Sequence, residues 1–211
     1  MTDYSIYLHI PFCKHRCAYC DFNTYSGKES LIPDYVRALC LELEFMVNLA
    51  DHPIYVQTIF FGGGTPSLLP TNEVERIFQV FREHFLLPND VEITLEANPG
   101  TLSRSFLQNM RTLGINRLSL GMQSANPREL MLLERQHSPF DVIEAVNWAR
   151  QVGYDNINLD PTFGLPYQAG EDLEAEPKIC CNSSTGAFLV ICPHSGIRNP
   201  NAALDGSRVN F

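Results

Sequence analysis

The chain has 211 residues, 45% of them hydrophobic and 18% charged, with 15 Lys and Arg against 24 Asp and Glu for a formal net charge of −9. This is the balance of a folded globular chain with enough apolar material for one good core, and it excludes a disordered, charge-rich polypeptide. The acidic excess argues against binding to a nucleic-acid backbone, which calls for a basic face, and no apolar run approaches the length of a membrane span.

In chain order, strand-like apolar runs alternate with amphipathic helices, the pattern of a parallel sheet. The first predicted strand is Ser5–Ile10, followed by a loop with three closely spaced cysteines. From Pro33, a residue suited to a helix N-terminus, Val36, Leu39, Cys40, Leu43 and Val47 recur at helical spacing, which places Cys40 in the core. A second strand over Val56–Phe61 runs directly into Gly62-Gly63-Gly64. Thr71 or Asn72 is then expected to cap a helix whose Val74, Ile77, Phe78, Phe81 and Phe85 form one stripe. Val91–Ala97 reads as a third strand, and a helix carrying Phe106, Leu107, Met110 and Leu113 stops at Gly114. Arg117–Met122 is the fourth strand and Pro127–Leu133 a short helix. Ser138-Pro139 opens a helix carrying Val142, Ile143, Val146 and Ala149, and Asn156–Asp160 is the fifth strand. Five strands separated by helices imply a barrel-like or open α/β sheet with its function on the loops beyond the strands' C-terminal ends.

After Glu174 the pattern stops. Residues 175–211 show no clear periodicity and carry Cys180, Cys181 and Cys192, whose spacing fits no common ligand set. This stretch reads as an irregular tail foreign to the rest, of the kind left by a frameshift or a truncated gene. The N-terminus lacks the ordered basic, apolar and small-residue regions of a signal peptide, so the expected address is cytoplasmic. Clustered cysteines without such a leader point to metal binding in a reducing compartment rather than to disulfides.

Cys13, Cys17 and Cys20 lie within eight residues in C-x3-C-x2-C spacing. Three thiolates in so short a loop can hold three corners of a four-iron cluster, and with Phe22 following Cys20-Asp21 there is no nearby fourth, so one iron is left open. A ferredoxin or a structural zinc site would need a recruit such as His9 or His15. His9 lies in an apolar strand, where a satisfied histidine is the simpler reading, and His15 stands between Lys14 and Arg16, where a solvated one is. An open iron suits direct binding of a substrate or cofactor to the metal.

The loop resembles the radical S-adenosylmethionine (SAM) superfamily, whose signature is this spacing with an aromatic residue before the last cysteine, here Tyr19. Within it, Tyr7-Leu8-His9-Ile10-Pro11-Phe12-Cys13 and Gly62-Gly63-Gly64-Thr65-Pro66-Ser67 look like the anaerobic coproporphyrinogen III oxidase family. Cys20-Asp21-Phe22 is the form seen in its HemW-like haem chaperone branch, whereas the oxidase branch carries a further cysteine there. The resemblance implies a partial (β/α) radical SAM barrel over residues 1–174, incomplete at its C-terminus. It also implies a [4Fe–4S] cluster on Cys13, Cys17 and Cys20, SAM on the open iron, and an electron donor for the cluster.

By the same resemblance Gly63, Gly64 and Thr65 would meet the amino group of SAM, and Tyr7, Tyr19, Glu96, Gln123, Arg135 and Asp160 would complete its site. The last four fall at or just after successive strand ends, where a ligand at a barrel mouth needs them. The implied function is binding haem and passing it to acceptor proteins. The alternatives are oxidative decarboxylation of a porphyrinogen and an inactive fragment of either. For haem, His52, His84, His137 and His194 offer no standout axial ligand, and the C-terminal His-Asn-x-x-Tyr motif linked to haem in that branch has no match in this sequence.

Overall fold

The computed structural model describes residues 3–165 and two short strands at 188–189 and 192–193. In order these are β1 (Asp3–Ile10), β2 (Phe12–Cys13), β3 (Tyr25–Ser26), α1 (Ile32–Leu49), β4 (Tyr55–Gly63), α2 (Thr71–His84) and β5 (Glu92–Ala97). There follow α3 (Arg104–Leu113), β6 (Arg117–Gln123), α4 (Pro127–Leu132), α5 (Pro139–Gln151), β7 (Asn156–Phe163), β8 (Phe188–Leu189) and β9 (Cys192–Pro193). Each long strand lies parallel to the next long strand in sequence, in the order β1-β4-β5-β6-β7, and β8 and β9 pair with β7. That unreversed order belongs to a singly wound, partial (β/α) barrel and not to a doubly wound sheet, whose strand order reverses at a switch point.

The strands are apolar on the face the helices cover, while Thr94, Glu96, Ser119, Asn158 and Asp160 alternate with those apolar residues and face the other way. Val56, Ile59, Phe61, Leu95, Leu118 and Leu120 are accordingly sealed from solvent. The helices present matching stripes: Ile32, Val36, Cys40 and Leu43 on α1, Val74, Ile77, Phe78 and Phe81 on α2, and Leu107 and Met110 on α3. Gly114 ends α3 in the left-handed conformation at φ 119°, and Ser138 with Asp141 closes a reciprocal capping box on α5. Among the described residues no helix is long and apolar enough to cross a membrane.

Several expectations need correcting. Neither Thr71 nor Asn72 caps α2: Pro70 holds the cap position with no side-chain bond, Thr71 is already helical, and the Asn72 amide is drawn onto Glu73. Ile143 lies off the buried stripe of α5, which runs Val142, Ala145, Val146 and Ala149, and stands 45% exposed. Phe85 is buried but follows the last turn of α2 in extended conformation. The fourth and fifth long-strand expectations stop short: β6 extends to Gln123, and β7 runs three residues past Asp160. The boundary at 174, Cys180, Cys181 and His194 lie outside the described residues, as does most of the tail, of which β8 and β9 alone are described.

Asn116, just before β6, supplies the bonds that a sheet ladder would otherwise make at the start of β5. Its Nδ2 donates to Val91 O at 2.7 Å, its Oδ1 accepts from Ile93 N at 2.8 Å, and its own N–H donates to Ile93 O at 3.0 Å. Asn116→Ala strands one donor and one acceptor in a half-buried position, so it should cost about 1–3 kcal/mol. The check is a lower urea midpoint with an unchanged m-value.

Candidate functional site

The cysteine loop is closed at its base by backbone pairing. β2 and β3 run parallel with Cys13 opposite Ser26, Tyr25 N donates to Pro11 O at 2.7 Å, and His9 Nε2 donates to Asn23 O at 2.9 Å. His9 is thus the satisfied strand histidine its setting suggested, and its Nδ1 accepts from the Tyr7 hydroxyl at 3.1 Å. The end of β4 passes directly beneath the loop: Gly64 N donates to Ile10 O and Thr65 N to Phe12 O, both at 2.8 Å.

The glycines are needed for that approach. A Cβ on Gly64 would lie 2.7 Å from Phe12 O and 3.0 Å from Cys13 Sγ. Gly63, at φ +113°, would drive one to 2.7 Å from the His9 ring. A side chain at Gly64 would have to move the loop, and one at Gly63, on a left-handed backbone, would have to displace the His9 ring.

The two glycines, Thr65, Glu96, Gln123, Arg135 and Asp160 face one cavity of about 630 Å³ together with Cys13, Cys17, Tyr19 and Cys20. Gly63 N–H donates to Glu96 Oε2 at 3.1 Å. Asp160 accepts from Ser119 Oγ at 2.7 Å and from Asn158 Nδ2. Gln123 sits where the β6–β7 register shifts, at φ 63°, and its Oε1 accepts from Thr162 Oγ1. This left-handed kink turns the residue out of the strand alternation, a device common at barrel rims and sites. Arg135 reaches across the cavity: NH2 donates to Gly121 O at 2.8 Å, and NH1 donates to Tyr19 Oη at 3.4 Å and Cys17 Sγ at 3.7 Å.

Of the residues picked from sequence, Tyr7 alone does not line this cavity. Its ring is 56% exposed and lies stacked near Phe60, with centroids 6.0 Å apart. His15 is less free than expected, for its Nε2 donates to Glu134 Oε2 at 3.1 Å. His52 meets the Tyr4 hydroxyl at 3.4 Å, and His84 stands 3.9 Å from Glu83. Sequence reading missed Gly121, Ser119, Asn158 and Glu134. A glycine inside an apolar strand was the one legible signal among them: a Cβ there would meet Arg135 NH2 at 3.2 Å and Gln123 Nε2 at 3.1 Å.

All three loop cysteines are free thiols. Burial pushes the Cys13 thiol pKa up, with Cys20 and Cys17 adding to it and the Thr65 hydroxyl, 3.6 Å from Sγ, opposing. Among the described residues no three His, Cys, Asp or Glu side chains converge as ligands of a single ion must. A cubane cluster asks for something different, because each thiolate binds a separate iron at a separate corner. Hydroxyl and guanidinium donors onto two of the sulfurs are the outer contacts such a cluster uses.

The profile of the Radical SAM superfamily matches residues 7–176. The chain belongs to the radical SAM superfamily. Membership implies a [4Fe–4S] cluster and SAM, and this radical SAM chain is similar to several proteins named haem chaperones. It is 42% identical to "Heme chaperone HemW" of Mycobacterium tuberculosis over 173 residues, 81% of this chain and 44% of that protein. It is 40% identical to the protein of the same name from Escherichia coli over 169 residues, 80% of this chain and 44% of that protein. Among solved structures, coproporphyrinogen III oxidase (HemN) from Escherichia coli superposes with a TM-score of 0.82 at 28% identity, over 92% of this chain and 44% of that one. The chain therefore spans less than half the length of these relatives.

Glu96 in the cavity and His137 behind its rim titrate in opposite senses. Burial raises the Glu96 pKa from its ordinary 4.5 to about 7, with Asp160 adding to the shift and the Gly63 N–H opposing. Burial and the Arg135 cation lower that of His137, behind the rim, from 6.5 to about 4. Glu96 thus contributes stability below pH 4.5 that is lost as pH rises towards 7, while the His137 contribution is full above 6.5 and lost as pH falls towards 4. In the overlap the two slopes cancel. In the cofactor-free chain, Glu96→Gln removes one falling slope and leaves that of Asp160, so between pH 4.5 and 6.5 the variant's stability should change with pH more positively than the wild type's, by on the order of 1 kcal/mol per unit. Urea melts of both chains across that range are the check, and equal slopes would contradict it.

Proposed function

We propose that this chain is the cluster-bearing part of a HemW-like haem chaperone, carrying a [4Fe–4S] cluster on Cys13, Cys17 and Cys20 and SAM in the adjoining cavity. The observation that carries the reading is the sharing of one cavity by three free thiols and a glycine–acid rim. Its volume lies within the range of small-molecule sites. Bound there, cluster and SAM supply one-electron cleavage of a sulfonium, with the electron drawn from a donor protein.

The chain's own residues bind and orient. Glu96, held by Gly63 N–H and with its pKa raised to about 7 by burial, is placed to accept from an ammonium group, whose charge would draw it to the ionised form. Arg135 offers the cavity a cation suited to a carboxylate. Asp160, fixed by Ser119 and Asn158, and Gln123, fixed by Thr162, present acceptors suited to hydroxyl and amino groups of a nucleoside. Tyr19 closes one wall, its hydroxyl pKa pushed up to about 12 by burial, so it acts as a neutral donor. Tyr7 would join through the hydrogen bond that orients His9 beside Gly63.

Two observations support chaperone over oxidase: the Cys20-Asp21-Phe22 continuation and the 37–42% identity to proteins named haem chaperones. Phe22 is 66% exposed at the cavity rim, an apolar group where the oxidase branch carries a cysteine. The structural likeness to coproporphyrinogen III oxidase supports the second reading, a decarboxylase acting on a porphyrinogen. Haem-acceptor proteins are the partners of the first, and a cytoplasmic setting suits either.

Anaerobic reconstitution followed by electron paramagnetic resonance should give a reduced [4Fe–4S] signal that changes on adding SAM, and Cys17→Ser should abolish it, since two thiolates seldom keep a cubane. A signal indifferent to SAM would sink the cofactor assignment. Haem added to the reconstituted chain should produce a shifted Soret band without release of carbon dioxide from coproporphyrinogen III; decarboxylation coupled to deoxyadenosine formation would favour the oxidase.

A further inference from the structure

α4 ends in a hydrogen-bond pattern that normally belongs to glycine. Glu134 N donates to Met131 O at 3.1 Å and Arg135 N to Leu130 O at 2.9 Å, the paired bonds of a Schellman motif. The residue in the left-handed position of that motif is Glu134, at φ 55°, where glycine is the usual occupant. The described residues contain one other non-glycine with positive φ, Gln123 on the cavity rim.

What the glutamate gains is a partner 119 residues away in sequence. Its Oε2 accepts from His15 Nε2 at 3.1 Å, and His15 lies midway between Cys13 and Cys17. The same turn sends the next residue, Arg135, onto Cys17 Sγ, Tyr19 Oη and Gly121 O. The base of the cysteine loop is held by β2 and β3. Its outer part, with Lys14, His15, Arg16 and Ala18 exposed, is held to the barrel by this Glu134–Arg135 turn.

We infer that Glu134 is a positioning residue for the cluster: a strained turn kept for its carboxylate, which straps the Cys13–Cys17 segment through His15 so that the three thiols face the cavity. The inference rests on the cluster reading above. It assigns no titration and no direct contact with substrate to Glu134.

The strap separates two quantities that a purely structural residue would move together. Glu134→Gly relieves the left-handed backbone while removing the tether. The cofactor-free variant should therefore unfold at a temperature no lower than the wild type, while alkylation of Cys17 in it runs faster. After anaerobic reconstitution its cluster should be lost to a chelator roughly fivefold faster, about what the loss of one hydrogen bond is worth. His15→Asn should match it, the double variant should be no worse than either single one, and His15→Gln, which restores a donor, should recover the slower rate. Wild-type rates of both cluster loss and Cys17 alkylation in Glu134→Gly, or additive losses in the double variant, would overturn the strap. A wild-type chain that takes up no cluster would overturn the cluster reading, and alkylation at the wild-type rate in the variant would then reject the strap separately.

Discussion

The site depends on one close approach. β4 emerges from the barrel under the cysteine loop at a distance only glycine allows, and Gly64 N and Thr65 N lock it to Ile10 O and Phe12 O. Two backbone bonds at this crossing set the height of the loop over the barrel mouth, and with it the distance from the thiols to Glu96, which hangs on Gly63 N–H. A Cβ on Gly64 would strike the Phe12 and Ile10 carbonyls and Cys13 Sγ, and one on Gly63 the His9 ring. The glycine run is therefore read better as a packing surface for the loop than as a flexible hinge. Its N–H groups are spent on that packing: Gly64 N–H meets the Ile10 carbonyl and Gly63 N–H the Glu96 carboxylate.

Electrostatics in the cavity follow from burial more than from pairing. Desolvation is the leading cause of the raised pKa of Glu96, Asp160, Tyr19 and Cys13 and of the lowered pKa of His137. Each of these groups is pushed towards its neutral form, while Arg135, which cannot lose its proton, keeps its charge in the cavity wall beside Lys14 and Arg16 of the loop. A ligand carrying both a carboxylate and a cationic centre suits such a lining: the carboxylate has Arg135, and the cation draws protons off the acids. The lining is adjustable at the acidic end and rigid at the basic end.

Much of this was legible in the sequence because parallel barrels write themselves in apolar runs and helical stripes, and because thiol spacing is a local property. The five strands, the loop and the polar rim all have short-range signatures. What could not be read arises where tertiary contacts overrule local preference. Thr71 and Asn72 are good capping residues, yet Asn72 is drawn onto Glu73, which Arg76 also holds at 2.9 Å. Ile143 is apolar and helical but one position off the buried stripe. Asp160 reads as a strand end because Pro161 follows it, whereas β7 continues to Phe163 through pairing of Gln123 with Pro161. Glu134 was invisible for a sharper reason: the position it holds is recognised in sequences by glycine, and its partner lies at the opposite end of the barrel sequence.

That last case bears on how a short loop can be ordered before it holds metal. Fixing each residue of the outer loop costs on the order of 1 kcal/mol or more in backbone entropy, and Lys14, Arg16 and Ala18 bury little surface in return. Pairing at the base through β2 and β3 fixes the ends of the loop but not its crest, because a loop of this length retains many closed conformations. Order at the crest has to come from contacts made there, and the structure provides three contacts from a single turn: the Glu134 carboxylate on His15 and the Arg135 guanidinium on Cys17 and Tyr19. The two residues could not reach the loop together from a continued helix, where adjacent side chains point about 100° apart. The left-handed residue breaks that relation, so the backbone strain at Glu134 and the convergence of two side chains on the loop are one structural fact.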